Sequence, residues 1–551
     1  MSTTTTDEEA KWLKKFNVPA PKRPVLDRRR ILAGFLTGYQ WWWHKHPLTG
    51  KPILTYVHPA TGIKVLPDKE WYAQDFSSFG VAWQSSKSFF EQFRALQLNV
   101  PMLAQRNVIE PENSIAMGSF GDVNSYFSSS CESSKDSFFC AWSEGPDLSA
   151  EIHNVKQVTQ SYRIDDAFNI YNSRYVRDGA DILNSAFVFY AKDLEYCFGA
   201  SCKKHKKFIF FDKQLTKDEY AKEMQSIDLS CRSNVEQYRE RFHKMLAEQT
   251  IWPQNMNVKD EGSSGEYVIS GTNCQFCYSA VGGSHDMLWC SHTSGDSYNN
   301  AFCQLIHNTS ECYSCVDAQE CTGCKFCYAC GTSQNLEYCM QCYNCEDCFG
   351  CVGLQRKKFH VFNKEYSEED YRKIVAEIKK AMLAAREYGE FFPLSFSPVY
   401  FGQSAAVLYY LATEADGKTL GALDYDPESH GAIGDLSEAH NLKTTKEIPD
   451  CIDALEVDDW AGVPVLDEHI NRRFAFLKPE LEFYKKYRIA PPDHHFVHRI
   501  QDMIQESNSA VFEDASCAKC HQTMLVAKNK SFPKRTIYCK ACFNTYFEAE
   551  G

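Results

Sequence analysis

Small and aliphatic residues recur at every third position over long stretches of this chain. Between residues 161 and 197 these positions hold only Ser, Ile, Ala, Val, Gly, Leu and Cys, while the residues between them carry most of the charge. A period of three fits neither an α-helix, whose side chains repeat at about 3.6, nor a flat strand, whose side chains repeat at 2. It predicts a tightly wound coil in which four triplets, about twelve residues, make one turn and small side chains point inward, as in a narrow β-solenoid.

The same rhythm returns later in the chain with cysteine at many of the inward positions. Cys303, Cys315, Cys327, Cys339 and Cys351 are spaced twelve residues apart. The segment 348–371 also matches 197–220 at an offset of 151 residues, which indicates two copies of one module. In the earlier copy, the positions equivalent to Cys321, Cys324, Cys327 and Cys330 hold Ile170, Ser173, Val176 and Gly179. We therefore interpret these cysteines as small interior residues.

Two other interpretations of the cysteine run remain open at this point. Cys321, Cys324, Cys327 and Cys330 offer the ligand type of an iron–sulfur cluster, although the ferredoxin run has a wider last gap that is followed by proline. Disulfides would require an oxidising compartment. The stretch 274–300 leaves the rhythm, and the pattern gives no account of it.

Helices are predicted to close the end of each coiled module. Thr216 with Glu219, and Ser367 with Asp370, have the spacing of a helix amino-terminal cap. The second helix is predicted to run from residue 368 to residue 388, and the following Gly389 would stop it.

The most specific chemical motif lies at the carboxy terminus. Cys517, Cys520, Cys539 and Cys542 form two C-x2-C pairs, which supply four thiolates for one tetrahedral, structural Zn²⁺ ion. The intervening loop is basic and could contact phosphates or a protein partner. Its cations are Lys528, Lys530, Lys534, Arg535 and Lys540.

The two ends of the chain are related to each other at an offset of 471 residues. Residues 11–30 match 482–501, and the four carboxy-terminal cysteines then align with His46, Thr49, Asp68 and Trp71. Both ends are predicted to share a small ribbon-like fold, of which only the carboxy-terminal copy has zinc ligands. In the intervening segment PPDHHFVHRI, His494 and His498 could share one helix face, but we interpret this segment as a linker.

Composition narrows the classes of function. The chain has 551 residues, 44% of them hydrophobic, with a formal net charge of -13, which argues against a protein that coats nucleic acid or anionic membrane over its whole surface. The start MSTTTTDEEAKWLKK lacks an apolar signal core, so we expect a cytoplasmic protein that is not secreted and whose thiols are reduced. Phosphate-loop, nucleophile-elbow and H-E-x-x-H motifs are absent from the sequence, and no catalytic residue or small-molecule substrate is indicated.

Several long motifs resemble those of a known family. The segments CFGCVGLQRKKFHVFNKEYSEEDY, GEFFPLSFSP, ELEFYKKYRIAPP and the final C-x2-C pairs occur in this order. They resemble an uncharacterised family of cysteine-rich repeat proteins with a C-terminal zinc ribbon, seen in predicted proteomes of uncultivated bacteria and large DNA viruses. The resemblance implies zinc at Cys517, Cys520, Cys539 and Cys542, and it brings no established activity. This chain departs from many relatives in having Ser and aliphatic residues in its first coiled module.

The sequence therefore predicts a mainly β protein with capping helices, consisting of two tandem solenoid-like modules flanked by zinc-ribbon-like terminal modules. The predicted segments are a metal-free ribbon (1–100), the first solenoid (116–250), the cysteine-rich solenoid (265–389), an irregular α+β segment (390–480) and the zinc ribbon (481–551). We expect a non-enzymatic structural or scaffolding protein that binds protein partners or assembles with itself. We expect no contact with a membrane, and a virion is one candidate location. The alternative is a nucleic-acid-associated factor that docks through the basic loop of the ribbon.

Overall fold

The computed structural model describes residues 6–318, 321, 323–428 and 442–551. It is strand-rich with many helices, compatible with the mainly β prediction. The α-helices are Asp7–Phe16, Val25–Ala33, Asp68–Tyr72, Phe89–Asn99, Lys217–Met224, Arg232–Glu248, Glu368–Ala384, Ala405–Tyr409, Glu414–Leu420, Val457–Trp460, Lys478–Tyr487, Phe496–Gln505 and Lys540–Glu550. In the described parts of the chain, no helix is long and apolar enough to cross a membrane.

Two ladders of parallel strands make up the centre of the molecule. The first ladder, residues 109–214, contains Ile115–Met117, Tyr126–Ser129, Phe138–Ala141, Glu144–Asp147, Ala150–Thr159, Tyr162–Tyr171, Arg174–Leu183, Ala186–Glu195, Phe198–Ser201, Lys204–Lys207, Ile209–Phe210 and Lys213–Gln214. Its strands pair at a register of twelve residues, so that Ile152, Ile164, Val176 and Val188 are stacked in one column. An antiparallel pair, Ile209–Phe210 with Lys213–Gln214, ends it.

The second ladder, residues 258–365, repeats this arrangement. Its strands are Gly265–Ile269, Thr272–Gln275, Cys277–Val281, His285–Leu288, Ser291–Ser294, Tyr298–Ala301, Gln304–His307, Gln334–Glu337, Glu346–Phe349, Lys358–Val361 and Lys364–Glu365. Isolated parallel bridges at the same register, such as Tyr313 with Lys325 and Lys325 with Glu337, join the described residues between the strands Gln304–His307 and Gln334–Glu337.

The backbone explains the triplet rhythm. In the first ladder a residue with positive φ precedes each inward residue, and Arg163, Asp166, Asn169 and Asn172 form one such series at every third position. Left-handed backbone is costly for most residues but least so for Asn and Asp, which can also hydrogen-bond locally. Here the corner side chains are stacked, since the Nδ2 atom of Asn169 donates to Asp181 at 2.7 Å. Each triplet therefore ends in a corner.

The inward positions are buried, as the pattern predicted. In the first ladder a column of serines occupies one side, and each hydroxyl accepts from the backbone N–H twelve residues later, for example the Ser173 hydroxyl from Ser185 at 3.1 Å. In the second ladder the cysteines form a separate buried cluster with Val268, Met287, Ile306 and Leu336. Their thiols donate to backbone carbonyls, as Cys327 Sγ does to the Leu336 carbonyl at 3.1 Å.

The phase break at 274–300 consists of two thirteen-residue repeats. Thr272 pairs with His285 and His285 pairs with Tyr298, each thirteen residues apart, whereas Tyr298 returns to the twelve-residue register with Ser310. The extra residues fall at a corner formed by Gly282, Gly283 and Gly295, all with positive φ. Gly282 lies against the backbone of Gly295, so the two insertions are stacked upon each other.

The capping helices begin where the sequence predicted. The Thr216 hydroxyl accepts from the Glu219 N–H, and the Ser367 hydroxyl accepts from the Asp370 N–H. The second helix ends at Ala384, which is earlier than predicted. The N–H groups of Glu387 and Tyr388 both donate to the Met382 carbonyl, and left-handed Arg386 ends the helix before Gly389.

The elements of the two ends recur at the predicted offset of 471 residues. The amino-terminal ribbon contains the antiparallel strands Trp42–Lys45 and Pro52–Thr55 followed by Val65–Leu66, and the carboxy-terminal ribbon contains Phe512–Ser516 and Thr523–Ala527 followed by Thr536–Tyr538. The helices Asp7–Phe16 and Lys478–Tyr487 also correspond. Each ends at a left-handed residue with φ 50° and ψ 53°, Asn17 in one copy and Arg488 in the other.

Each ribbon lies near the ladder of the other half of the chain. Beside the amino-terminal ribbon, Phe89 packs on Phe349 of the second ladder, with ring centroids 5.5 Å apart. In the carboxy-terminal ribbon, Phe543 packs on Tyr190 of the first ladder, with ring centroids 5.2 Å apart. The short strand Met102–Leu103 pairs in parallel with Val65–Leu66, and Ile251–Pro253 pairs likewise with Thr536–Tyr538. One hydrophobic cluster includes residues from all five predicted segments.

The described residues between 390 and 480 lie against both ladders and the amino-terminal helices. Its strands Lys443–Thr444, Val465–Asp467 and Arg472–Phe474 form a small sheet. Tyr409 and Tyr410 of this segment are buried. The Tyr409 hydroxyl lies 2.9 Å from His153 Nε2 of the first ladder, and the Tyr410 hydroxyl lies 2.5 Å from the Ser291 hydroxyl of the second.

Candidate metal centre

The structure brings the four carboxy-terminal cysteines together. Cys517 and Cys520 flank the turn after the strand Phe512–Ser516, while Cys539 and Cys542 lie at the start of the helix Lys540–Glu550. Their four sulfur atoms lie within 4.8 Å of one another, and this four-cysteine group could hold a metal ion. Cys517 and Cys539 are buried and Cys520 is exposed.

Backbone N–H groups point at the first of these sulfurs. The Cys517 sulfur accepts from the N–H of Cys539 at 3.2 Å and from that of Cys520 at 3.5 Å. Desolvation opposes the charged form, but these backbone hydrogen bonds outweigh it and lower the pKa of the Cys517 thiol to about 6. A thiolate is the form that binds metal ions.

The amino-terminal ribbon keeps the same turn with different chemistry. His46 Nδ1 accepts from the N–H groups of Leu48 and Thr49 at 3.1 and 3.2 Å, which is the role of the Cys517 sulfur in the other ribbon. His46 Nε2 lies 2.9 Å from the Glu70 carboxylate. The Asp68 carboxylate accepts from two backbone N–H groups, and Trp71 is fully buried. Polar contacts and an aromatic side chain thus occupy the positions that align with the four cysteines.

Most of the basic residues of the carboxy-terminal loop have partners within the protein. Lys528 Nζ lies 3.2 Å from the Glu513 carboxylate, Lys530 donates to Gln505, and Lys540 lies 2.6 Å from the buried carboxylate of Asp260. The Arg535 guanidinium lies over the Trp252 ring and donates to the Ala527 carbonyl at 2.6 Å. These contacts reduce the positive charge that the loop can offer to phosphates.

The segment with His494 and His498 is not a linker. His494 precedes the helix Phe496–Gln505 and His498 lies in its first turn, so the helix begins too late for both to share its regular face. Their rings nevertheless approach to 4.5 Å between centroids and face Asp467, a buried residue at the end of the strand Val465–Asp467. Asp467 is distant in the chain and belongs to no motif, so no sequence pattern links it to the two histidines.

The structure also contains a disulfide that the sequence analysis did not predict. Cys231 and Cys451 are linked, although 220 residues separate them. An isolated antiparallel bridge places the two residues opposite each other, and Ser233 donates to the adjacent Asp450. The expectation that thiols outside a metal site are reduced is therefore wrong for this pair. No short pattern predicts the bond, because only the tertiary structure brings the two sulfurs together.

No protein-family model matches the chain, and no curated protein matches its sequence significantly.

Proposed function

We propose that this protein is a non-enzymatic scaffold built on two narrow β-solenoids of about twelve residues per coil, stabilised by a zinc ribbon and its metal-free counterpart. The main support for this proposal is that buried side chains fill the interiors of both ladders. The cysteines of the second ladder are buried, and their thiols donate to backbone carbonyls within the stack. Burial raises the pKa of Cys330 and of Cys197 to about 11, so these two thiols stay neutral and suit a packing role.

The identity of the ion at the four-cysteine group belongs to the same proposal. Four cysteine sulfurs from two C-x2-C pairs are the ligand set of structural Zn²⁺ sites, in which every coordination position is taken by the protein. Cys517, Cys520, Cys539 and Cys542 would hold this ion. The ion would stabilise the folded ribbon, whose own apolar cluster is limited to a few residues, including Met524 and Val526.

Exposed apolar residues at the first rows of both ladders support a role in assembly. In the first ladder Ile109 is paired with Phe120, and in the second Val258 is paired with Ile269. All four side chains are exposed, Ile109 at 54% and Val258 at 49%. An edge strand with apolar side chains is a template for pairing with another chain. We propose that these rows bind further copies of this protein or the strands of partner proteins.

A particle-associated role would extend this self-assembly to a larger particle. It is suggested by the resemblance to proteins of large DNA viruses, and it requires the assembly described above.

The alternative, a nucleic-acid-associated factor, depends on the basic loop of the zinc ribbon. The internal partners of Lys528, Lys530 and Lys540 argue against it, because engaged cations release fewer counterions from a phosphate backbone.

Sedimentation velocity over a range of protein concentrations tests the proposal. We expect the wild-type protein to self-associate and the double variant I109E/V258E to remain monomeric, since a carboxylate at each first row would be buried by pairing. L383E is the matched control, because Leu383 is also exposed but lies on a capping helix. A wild-type protein that stays monomeric would contradict the assembly role, and salt-sensitive binding of RNA or DNA would favour the alternative.

A further inference from the structure

We propose that Asp467, His494 and His498 form a second metal site, which takes a divalent transition-metal ion of the zinc type. The Nδ1 atoms of both histidines lie 3.5 Å from the same carboxylate oxygen, Oδ2 of Asp467. The three ligand atoms lie within 4.8 Å of one another. This group is formed by the strand Val465–Asp467 and the start of the helix Phe496–Gln505, and it shares no residue with the four-cysteine group.

Neither imidazole forms a well-aligned hydrogen bond with the carboxylate that it faces. The Nδ1 atoms of His494 and His498 are buried from solvent and pair with Asp467 Oδ2 only at 3.5 Å, which is longer than an ordinary hydrogen bond. Buried polar atoms in folded proteins are nearly always satisfied by a donor, an acceptor or an ion. A single metal ion between the two nitrogens and the Asp467 oxygen would satisfy both nitrogens at once.

The distances between the histidine nitrogens and Asp467 Oδ2 fit a shared metal ion better than direct hydrogen bonds. Zinc bound at about 2.0–2.1 Å with tetrahedral angles places neighbouring ligand atoms about 3.4 Å apart. The two separations of 3.5 Å from Asp467 Oδ2 fit this value. Histidine–carboxylate pairs elsewhere in this protein are closer, at 2.5 Å for His153 with Asp165 and 2.8 Å for His205 with Asp193, as direct hydrogen bonds require.

The surroundings of the three residues also resemble those of metal ligands. The Asp467 carboxylate is held in place by the N–H groups of His469 at 3.0 Å and His495 at 2.8 Å. Further carboxylates lie behind the distal ring nitrogens, with Asp493 3.7 Å from His494 Nε2 and Asp502 3.8 Å from His498 Nε2. At these distances the two carboxylates do not hydrogen-bond the imidazoles directly, but their negative charges favour a cation at this position.

The donor set and its access define the class of ion. Two imidazoles and one carboxylate favour zinc-type ions over Mg²⁺ and Ca²⁺, which prefer oxygen ligands. The side chains of His494 and His498 are 28% and 20% exposed, so an ion can reach the site from solvent. The His469 ring lies beside the site, 4.9 Å from the His494 ring and 5.7 Å from the His498 ring between centroids.

Zinc titration of the full-length protein with its four-cysteine group already loaded tests this site. We expect the wild-type protein to bind one further equivalent of Zn²⁺, and H494N and H498N to bind it at least tenfold more weakly. H205N is the matched control and should bind as the wild type does, because it removes an exposed histidine that is also paired with a carboxylate. Elemental analysis after desalting gives the stoichiometry independently.

Cobalt distinguishes this site from the cysteine site. Co²⁺ at Asp467, His494 and His498 should give weak visible absorption without a thiolate charge-transfer band, because none of these ligands contains sulfur. His494 lies before the helix and is partly exposed, so H494N should keep the wild-type circular dichroism. Equal zinc binding by the wild type and a folded H494N variant would overturn the proposal, and so would a wild type that takes up no zinc beyond the equivalent held by the four-cysteine group.

Discussion

At the scale of single residues, the interior of each ladder selects side chains by size, and the serines and cysteines there also donate to backbone carbonyls. Ser173 in the first ladder and Cys324 in the second occupy equivalent positions at the offset of 151 residues, and both are buried. The Ser173 hydroxyl donates to the Tyr171 carbonyl, whereas the Cys324 thiol lies 3.9 Å from the Ser333 carbonyl. Serine and cysteine are therefore alternatives for the same structural task.

This equivalence gives a prediction for Cys324→Ser. A hydroxyl at this position can donate to a nearby backbone carbonyl as Ser173 does, so we expect the free energy of unfolding to change by less than about 1.5 kcal/mol, the net contribution of one intramolecular hydrogen bond. The zinc content should not change. Cys517→Ser is the control that should lower the zinc content, because it removes a member of the four-cysteine group. Denaturant titration and elemental analysis give the two readouts, and loss of metal from Cys324→Ser would show that the interior cysteines are ligands.

At the scale of elements, the two ribbons show one turn that is stabilised in two ways. The Cys517 N–H donates to the Gln522 carbonyl, and the His46 N–H donates to the Lys51 carbonyl, which are equivalent bonds at the offset of 471 residues. His521 and Gly50, also equivalent, both have positive φ. The backbone of the turn is therefore the same, while sulfur atoms in one ribbon and an imidazole with a carboxylate in the other hold it closed.

Removal of metal should consequently affect only one ribbon. A strong chelator should increase hydrogen exchange in residues 516–545, because thiolates without an ion repel one another and no longer close the turn. Residues 42–72 should stay protected. His46→Ala should instead increase hydrogen exchange in residues 42–72 and leave residues 516–545 protected, since the N–H groups of Leu48 and Thr49 lose their acceptor. Hydrogen exchange measured by mass spectrometry distinguishes the two regions, and a chelator effect on both would contradict this account.

At the scale of the whole molecule, a buried ion pair connects the carboxy-terminal part of the chain to the first ladder. Arg499 of the helix Phe496–Gln505 lies 2.5 Å from the Glu151 carboxylate, and both side chains are buried. The Tyr162 hydroxyl donates to the same carboxylate. Such a pair makes the position of the helix on the ladder specific, because any displacement would leave a charge unpaired in the interior.

Arg499→Met tests the importance of this contact. It leaves the Glu151 carboxylate buried with fewer partners, so we expect the free energy of unfolding to fall by about 3–5 kcal/mol. The double variant E151Q/R499M should recover part of this loss, because it removes the buried charge. In the control Arg372→Met, an exposed pair with Glu368 is lost, and the change should stay below about 1 kcal/mol. Urea denaturation measures all three variants, and equal effects of Arg499→Met and Arg372→Met would contradict the argument.

The sequence alone determined the local features of this protein. The triplet rhythm predicted which residues are buried, because each corner of the backbone repeats after three residues and leaves one inward position per side. The offsets of 151 and 471 residues predicted the paired elements, and the spacing of Cys517, Cys520, Cys539 and Cys542 predicted their convergence, since two C-x2-C turns need only a hairpin and a helix start to meet.

The tertiary structure alone decided the contacts between distant segments. The proximity of each ribbon to the opposite ladder, the disulfide between Cys231 and Cys451, and the approach of His494 and His498 to Asp467 all join parts of the chain that no short pattern connects. A repeat fixes which side chains point inward, because that depends on the backbone period. It does not fix which outer faces meet, because that depends on how complete elements pack against one another.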